Sequence, residues 1–238
     1  MSDMLKIIRE RHSSRGQFNP AKPIPEDQLN MILEAARWAP TAHNMQNYEI
    51  ILLDDKKVLD TIGKIKSMPS EEFIRENFAQ LSTSEAELRR KKTGILGTQF
   101  PPTWRDASKL DEAVKERTLT PLSATIRGGQ TILLILYDMR KRAPASEGDV
   151  LGFFSLGCVM ENIWLMAQAL GISVHIMSAF SGQETALQLK KILNIPDYLA
   201  IGFACKLGYP LAEAASQRVR RDREDFIHHN TYTKKRGG

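Results

Sequence analysis

The longest apolar stretch of the chain covers residues 151–170, where only four side chains are polar. Ser155 and Asn162 are seven residues apart, as are Glu161 and Gln168, so the four share one narrow stripe of a helix. A membrane span is excluded because an acidic residue at its midpoint costs about 2.5–3.5 kcal/mol. The pattern predicts a central helix that is buried on nearly all sides. A 238-residue chain seldom encloses a helix so fully, so part of its cover is expected to come from a second copy.

The remaining apolar positions recur at helical or strand spacing along most of the chain. They predict a first helix that begins at Asp3, with Met4, Leu5 and Ile8 on its inner face. Further helices are predicted at 26–39, 56–66, 71–92 and 184–194, the last with a Ser181–Glu184 capping box. Strands are predicted at 48–54, 130–138, 172–177 and 199–208, and the continuously apolar 130–138 is expected to be central.

The order of these elements predicts an α+β fold, a mixed central sheet flanked by helices, in a single domain covering 1–238. Residues 55–128 are the least regular part of the chain. Within them, residues 66–128 are expected to form a lid or insertion on this domain rather than a second domain.

Composition changes this picture little. Apolar residues make up 42% of the chain, which is enough for a substantial core. The chain opens on alternating charged and apolar residues rather than a signal peptide, and its two cysteines lie in apolar surroundings. Both features favour a cytoplasmic protein with free thiols. The net charge of +5 comes largely from 217–238, a segment that suits a phosphate ligand, nucleic acid or a solvated arm.

Several chemistries are excluded by missing motifs. The sequence contains no G-x-G-x-x-G dinucleotide fingerprint, no G-x-x-x-x-G-K-[ST] phosphate loop and no G-x-S-x-G elbow. It also lacks H-E-x-x-H and cysteine pairs at metal spacing, so no metal site is expected.

Basic clusters stand near both ends of the chain. Guanidinium groups bind phosphate oxygens bidentately and serine adds a donor, although each cluster alone is also typical of a solvated surface. Between a predicted helix and strand, Asn44 and Gln46 offer amides suited to the polar edge of a flat heterocycle. The clusters consist of Arg11, His12, Ser13 and Arg15 at one end and Arg218 and Arg220 at the other.

These motifs together resemble the FMN-dependent nitroreductase family over nearly the whole chain. RHSSR at 11–15 is similar to the family's Arg-x-Ser-x-Arg/Lys phosphate motif, and APTAHNMQNY at 39–48 to its Ala-Pro-Ser-x-x-Asn-x-Gln loop. ENIWLMAQALGIS at 161–173 resembles its central helix, and GYP at 208–210 its Gly-Tyr-Pro turn. The closing segment is similar at 220–227, with aspartate in place of the usual proline.

The resemblance implies an intertwined homodimer with two FMN sites at the subunit interface. It implies that the FMN phosphate is held by Arg11, His12, Ser13, Arg15, Arg218 and Arg220, and that the flavin is approached by Pro40, Thr41, Asn44, Gln46, Met177, Ser178 and Ala179. It also implies a ping-pong reaction, in which NAD(P)H reduces the flavin and a nitroaromatic, quinone or other conjugated acceptor then reoxidises it. The cofactor carries this chemistry, so no side chain is expected to be catalytic.

Alternatives remain at two points. The nearer alternative function is that of a specialised flavoenzyme with the same fold, either dehalogenase-like or flavin-consuming. The more distant alternative is a basic nucleic-acid-binding protein, which would need more aromatic residues in its tail. Neither nucleic acid nor a membrane is therefore expected as a partner. Acceptor choice is assigned to Phe100, Trp104 and Arg105 as a lid, or else the two aromatic residues pack the insertion onto the core.

Overall fold

The fold is described from a computed structural model, which covers residues 3–97, 100, 104, 106–212 and 218–232. The chain divides into two compact units. The first is formed by Met1–Ser67 with Leu119–Ala214, and the second by Met68–Thr118 with Ala215–Gly238. The predicted insertion and the basic tail therefore belong to the same unit.

A four-stranded sheet forms the centre of the first unit. Its strands are β1 (Tyr48–Leu53), β6 (Thr131–Asp138), β7 (Ser173–Met177) and β8 (Leu199–Gly208), in the order β1-β6-β8-β7. All three pairings are antiparallel. Ser13 adds a parallel bridge to Val174 at the β7 edge, so the sheet is mixed as predicted.

The inner position predicted for 130–138 is confirmed, because all eight residues of β6 are buried. Continuous apolar strands are typical of parallel sheets, yet β6 is antiparallel to both neighbours. The strand β6 is instead apolar throughout because core side chains cover both faces of the sheet at this strand. Leu133 and Ile135 belong to one core cluster and Ile132 and Leu134 to the other.

Helices cover both faces of this sheet. They are α1 (Asp3–Glu10), α2 (Glu26–Arg37), α3 (Lys56–Gly63), the one-turn α7 (Ser123–Ile126), α8 (Val150–Ala169) and α9 (Gln183–Leu193), and a short pair, β2 (Lys66–Ser67) with β5 (Thr120–Pro121), flanks them. The predicted capping box of α9 is wrong. The Ser181 hydroxyl instead donates to the Ser178 carbonyl, 2.9 Å away, and Gly182 precedes the helix without a side-chain cap.

The central helix α8 packs against α2 and the sheet, and its polar stripe finds partners. Asn162 donates to the Ala35 carbonyl at 2.9 Å, and Ser155 accepts from the Ala42 amide at 3.0 Å. One chain does not bury this helix on all sides: 39% of its most apolar window is buried, and Phe153 and Phe154 are 60% and 65% exposed. The cover expected from a second copy stays a prediction. Length and composition alone would also allow the helix to cross a membrane, which the acidic Glu161 near its midpoint opposes.

The predicted inner face of α1 is also uncovered in the protomer. Met4, Leu5 and Ile8 are all exposed, and no residue of this helix is buried. Two elements that the apolar pattern places inside the protein thus show apolar surface to solvent in one chain. Exposed apolar surface of this kind is typical of an interaction site.

The second unit contains short elements, α4 (Glu71–Gln80), β3 (Leu81–Ser82), α5 (Glu85–Lys91), β4 (Ile95–Leu96) and α6 (Leu110–Lys115). The single helix predicted at 71–92 is therefore wrong. Ser82 and Leu81 pair with β4, and the Ser84 hydroxyl then accepts from the Glu87 amide and starts a new helix. Within this unit the tail is attached to the insertion through an ion pair between Lys92 and Asp222.

Candidate functional site

Residues 11–15 form the first part of the candidate site, and the sheet edge holds them in place. The Ser14 amide donates to the Val174 carbonyl at 2.9 Å, and the Ser14 side chain is buried. This contact continues the bridge between Ser13 and Val174. The predicted phosphate motif is consequently attached to the edge of β7 by an isolated bridge rather than being a free loop.

Arg11 is directed towards α8. Its guanidinium lies over the ring of Trp164, 4.3 Å from the centroid, and the Trp164 indole donates to the His12 carbonyl at 3.2 Å. Arg11 Nε lies 3.5 Å from a carboxylate oxygen of Glu161, close enough for an ion pair but without a hydrogen bond. One buried guanidinium donor therefore remains open to an acceptor.

Arg15 lies on the other side of the sheet edge, where it is one of four basic side chains that we call the cationic cluster. The cluster consists of Arg15, Arg127, His175 and Lys206. Burial, followed by the charges of Lys206, Arg15 and Arg127, lowers the pKa of His175 to about 4. His175 pairs with Lys206 in the register of β7 and β8, so the two side chains share one face of the sheet.

Lys206 and Arg127 were not predicted as site residues. Lys206 is fully buried, and its ammonium donates to the carbonyls of Gly16 and Thr125 at 3.2 and 3.5 Å. The sequence does hold a signal for it, since Lys206 is a single charge inside the apolar strand LAIGFACKLG. Arg127 has no such signal, because it follows a one-turn helix in an irregular segment.

The donor set in this region suits a phosphorylated ligand such as FMN. Arg11 Nε and His175 Nδ1 are buried without a hydrogen-bond partner, and buried polar atoms of this kind are uncommon. Within the described residues no ion pair involves Arg15, Arg127 or Lys206, whereas Arg11 alone has a nearby carboxylate. An excess of positive charge with open donors is what a bound anion neutralises.

The amide loop that follows α2 has an unusual backbone. Within five residues, His43, Asn44 and Gln46 all have positive φ angles, of 52°, 53° and 44°. Such conformations cost of the order of 1–3 kcal/mol each unless the surroundings impose them, and they are concentrated at functional sites. The predicted pair Asn44 and Gln46 is exposed, and Gln46 Nε2 donates to Asn44 Oδ1 at 3.3 Å.

The loop is held from below by α8 and by its own threonine. Besides the contact of Ala42 with Ser155, the Gln46 amide donates to the Thr41 hydroxyl at 3.1 Å. Pro40 ends the preceding turn and belongs to the same segment. These contacts impose the strained backbone and present both amides to solvent.

Within one protomer the amide pair and the cationic cluster do not meet. The loop leads into β1, whereas His175 and Met177 are on β7 and Lys206 is on the adjacent β8. β1 and β7 are opposite edges of the sheet. Three strand spacings separate these edges, about 14 Å. The two ends are also offset along the strand direction. Tyr48 pairs with Tyr137 of β6, which pairs with Ala200 of β8. Met177 pairs with Ala204, four residues further along β8. The combined separation is roughly 20 Å.

Met177, Ser178 and Ala179 lie where β7 ends and a 3₁₀ turn, Ser178–Phe180, begins. Met177 is buried, whereas Ser178 is exposed and Ala179 is half-buried. The predicted flavin segment is thus the continuation of the same strand that holds residues 13 and 14. The structure brings these two predicted groups onto one edge strand.

The remaining predicted residues belong to the second unit. Arg218 and Arg220 are both in the tail, where Arg220 is exposed and donates to the adjacent Val219 carbonyl at 2.7 Å. Trp104 stacks on Phe100, with centroids 5.6 Å apart, and contacts Phe73 and Phe78 of α4 at 6.2 and 6.4 Å. This arrangement favours a packing role inside the unit. Arg105 lies outside the described residues.

A separate groove of about 680 Å³ lies between α3 and the segment 121–130, and none of the predicted site residues lines it. It includes Gly128 and Gly129, which flank the cationic cluster on one side. In the described part of the protomer the predicted residues 13 and 177–179 lie instead along the edge strand β7. A flat cofactor there would need a second surface to enclose it.

Comparison with known proteins shows the family of the chain. Residues 8–209 match the family model described as "Nitroreductase family". An NADPH-dependent oxidoreductase of Staphylococcus aureus strain N315 is 23% identical over 233 residues, covering 98% of this chain and 75% of that protein.

Solved structures give the same result for the fold. A nitroreductase with bound FMN from Desulfitobacterium hafniense DCB-2 matches with a TM-score of 0.58 and 20% identity, over 98% of this chain and all of that one. A nitroreductase family protein from Clostridium difficile 630 matches with a TM-score of 0.63 and 15% identity, over the same shares. The chain belongs to the nitroreductase family, and the predicted resemblance is confirmed.

Proposed function

We propose that this member of the nitroreductase family is an FMN-dependent oxidoreductase that uses NAD(P)H to reduce nitroaromatic, quinone or similar conjugated acceptors. The observation that carries the proposal is the edge strand β7. It holds the phosphate motif on one side and continues into the segment predicted to lie beside the flavin. FMN, when bound, supplies the hydride chemistry, so the protein has to bind, orient and shield.

The residues along this edge have different roles in binding the cofactor. Arg15, Arg127 and Lys206 supply positive charge, Arg11 and His175 supply open donors, and Ser13 is fixed by its bridge to Val174. The exposed Ser178 at the end of the strand faces the position where a flat ring would lie. No group of this set needs to transfer a proton for the proposed reaction, and none is assigned as catalytic.

We infer that the working form is a homodimer in which the amide loop of one subunit completes the site of the other. Tyr48, where the amide loop enters β1, lies roughly 20 Å from Met177 in the same chain, a separation too large for the loop and the β7 segment to hold one flavin ring together. The exposed apolar face of α8 offers a surface for the partner. Phe153 and Phe154 lie on it, and an added side chain at Gly157 would meet nothing within 4 Å.

The proposal is tested on the purified protein. A yellow protein that releases FMN on denaturation, and whose flavin is bleached by NADH or NADPH and restored by a nitroaromatic or quinone, is the expected result. The cytoplasm, where NAD(P)H is abundant, is the proposed location. A colourless protein that takes up no added FMN would overturn the proposal.

Variants locate the site. Arg15→Ala and Arg127→Ala should each weaken FMN binding about tenfold or more, because charge-assisted hydrogen bonds contribute about 1.5–3 kcal/mol. Arg37→Ala is the control, since Arg37 is an exposed arginine at the end of α2 that pairs with Glu34. Equal affinities in all three variants would remove the cationic cluster from the site.

A further inference from the structure

A buried lysine without a counter-ion stands in the cationic cluster. Lys206 lies in β8 with its whole side chain inaccessible to solvent, and no ion pair in the described residues involves it. Its ammonium is bound by two backbone carbonyls, those of Gly16 and Thr125, and lies 4.2 Å from the centroid of the Phe18 ring. Carbonyl dipoles and a ring face are thus the partners that the structure gives to this charge.

The space around Lys206 fits an extended lysine stem. A Cβ added at Gly129 would lie only 2.3 Å from Lys206 Cδ and 2.5 Å from Cγ, so this glycine makes room for the stem. The ammonium reaches two segments that are far apart in sequence, the one after the phosphate motif and the one that ends in Arg127. Lys206 therefore connects the two backbone segments that carry Arg15 and Arg127.

The groups that face Lys206 come from three elements, and none of the three is acidic. Its cross-strand neighbour on β7, His175, has a pKa lowered to about 4 and is neutral near pH 7. Arg127, after α7, is a like charge that acts on Lys206 directly, and Arg15, the last residue of the phosphate motif, acts on the adjacent His175. A protonated Lys206 is therefore unfavourable in the free protein and becomes more favourable when an anion binds to the cluster.

We propose that Lys206 is a positioning residue that holds the segments of Arg15 and Arg127 together, and that FMN binding is coupled to protonation of its buried ammonium. This inference rests on the FMN site proposed above. It adds to that site a residue that is shielded from solvent by Gly129 and Phe18 and acts through its neighbours. It also predicts a pH dependence that no exposed arginine would produce.

The direction of this dependence follows from linkage. Burial, with a smaller effect of Arg127, lowers the pKa of Lys206 to about 8, and a bound anion raises it again. Since the phosphate of FMN is fully ionised above pH 7, with a second pKa near 6, it does not titrate in this range. If the anion raises the lysine pKa by about one unit, FMN affinity falls by about five- to tenfold between pH 7 and 9.5.

The stability of the flavin-free protein should change in the opposite direction. Above pH 8 the folded state has lost the Lys206 proton, whereas the unfolded chain keeps it up to its ordinary pKa near 10.5. The unfolded state then binds more protons, so the contribution of Lys206 to stability rises with pH through this window. With rising pH, the stability of the flavin-free protein should therefore increase while the FMN affinity decreases. General alkaline damage would lower both.

The experiment compares wild type with Lys206→Met and Lys206→Gln. Methionine keeps an apolar stem without a charge, and glutamine keeps a donor without a charge. FMN titrations from pH 7 to 9.5 are expected to show about tenfold weaker binding by Lys206→Met at pH 7, with a flat pH profile. Lys206→Gln should bind more tightly than Lys206→Met, because its amide can reach a carbonyl, and should also show a flat profile.

Lys190→Met is the matched control. Lys190 also donates to a backbone carbonyl, that of Asp197 at 3.1 Å, but it lies at the opposite end of β8 from the cluster. It should keep the wild-type affinity and pH profile. Riboflavin, which lacks the phosphate, tests the role of the anion. A pH dependence with FMN but not with riboflavin supports the coupling, whereas the same dependence with both ligands contradicts it.

The outcomes separate the two proposals. Absence of FMN uptake by wild type at any pH would overturn the proposed function and this inference with it. If wild type binds FMN with an affinity independent of pH, or if Lys206→Met keeps the wild-type profile, only the inference is wrong. Should Lys206→Met fail to fold, the wild-type profile and Lys206→Gln still decide the matter.

Discussion

The substitution Ser155→Ala tests whether α8 imposes the conformation of the amide loop. Ser155 is buried in the helix, where its hydroxyl donates to the Leu151 carbonyl at 2.8 Å and accepts from the Ala42 amide at 3.0 Å. Alanine keeps the helix and removes the acceptor. The loop above it holds three residues with positive φ and is therefore the part of the protein that should respond.

The magnitude can be worked from these contacts. A half-buried amide that loses its acceptor costs about 1–3 kcal/mol, while the Leu151 carbonyl remains inside the helix and loses little. Relaxation of His43, Asn44 and Gln46 to ordinary conformations would return part of this energy. We therefore expect a loss of about 1–2 kcal/mol in stability. We expect an FMN affinity reduced about five- to tenfold, because Asn44 and Gln46 are no longer held in place.

Ser146→Ala is the matched control for this substitution. Ser146 is also buried, and its hydroxyl accepts from the Leu151 amide at 3.1 Å, but it does not contact the loop. Urea unfolding at one fixed protein concentration should show similar losses for both variants. FMN titration should separate them, with weaker binding for Ser155→Ala only. Equal FMN affinity in the two variants would refute the role assigned to Ser155.

Three further outcomes are expected. Phe154→Glu should convert a dimer at micromolar concentration into a folded monomer in sedimentation, because Phe154 is 65% exposed, whereas a charge at Trp164, 9% exposed, should unfold the chain. Trp104→Ala should lower the melting temperature by about 4–8 °C, because it removes the ring that Phe73, Phe78 and Phe100 contact. Below pH 6.5 wild type should lose stability as the pH falls towards 4, and His175→Gln should lose less.

Each of these outcomes has a clear contrary. A wild-type monomer would contradict the inferred dimer. An unchanged melting temperature with altered preference among acceptors would return Trp104 to the lid role predicted from the sequence. The stability loss expected for His175 follows from its pKa of about 4 in the folded protein. As the pH falls, the unfolded chain binds the proton before the folded protein does, so unfolding is favoured. Identical acid profiles of wild type and His175→Gln would show that other groups control this range.

Much of the fold was predictable because burial leaves a repeated mark on the sequence. The apolar run 151–170 and the strand 130–138 were found within a residue or so of α8 and β6. The break between α4 and α5 was missed because charged residues at helical spacing continue through both. The hydroxyl of Ser84, which starts α5, is a cap signal that periodicity does not contain.

The candidate site was predictable only where its residues are consecutive. Residues 11–15 and 40–46 form short motifs, whereas the cationic cluster is assembled from four separate segments. Its members meet because β8 lies between β6 and β7, and that order depends on long-range pairing that no local pattern records.

Sheet order also explains why the site suits a pair of subunits. The edge strand β7 carries the phosphate motif, and the opposite edge strand β1 begins directly after the amide loop. Any fold that places both motifs at opposite edges of one sheet prevents them from contacting the same small ligand in one chain. A second copy removes this conflict, provided that its α8 covers the exposed face of the first. In the proposed dimer the apolar surface of α8 and the strained loop held by Ser155 are two parts of one arrangement, because association through α8 would bring the loop to the partner's cationic cluster.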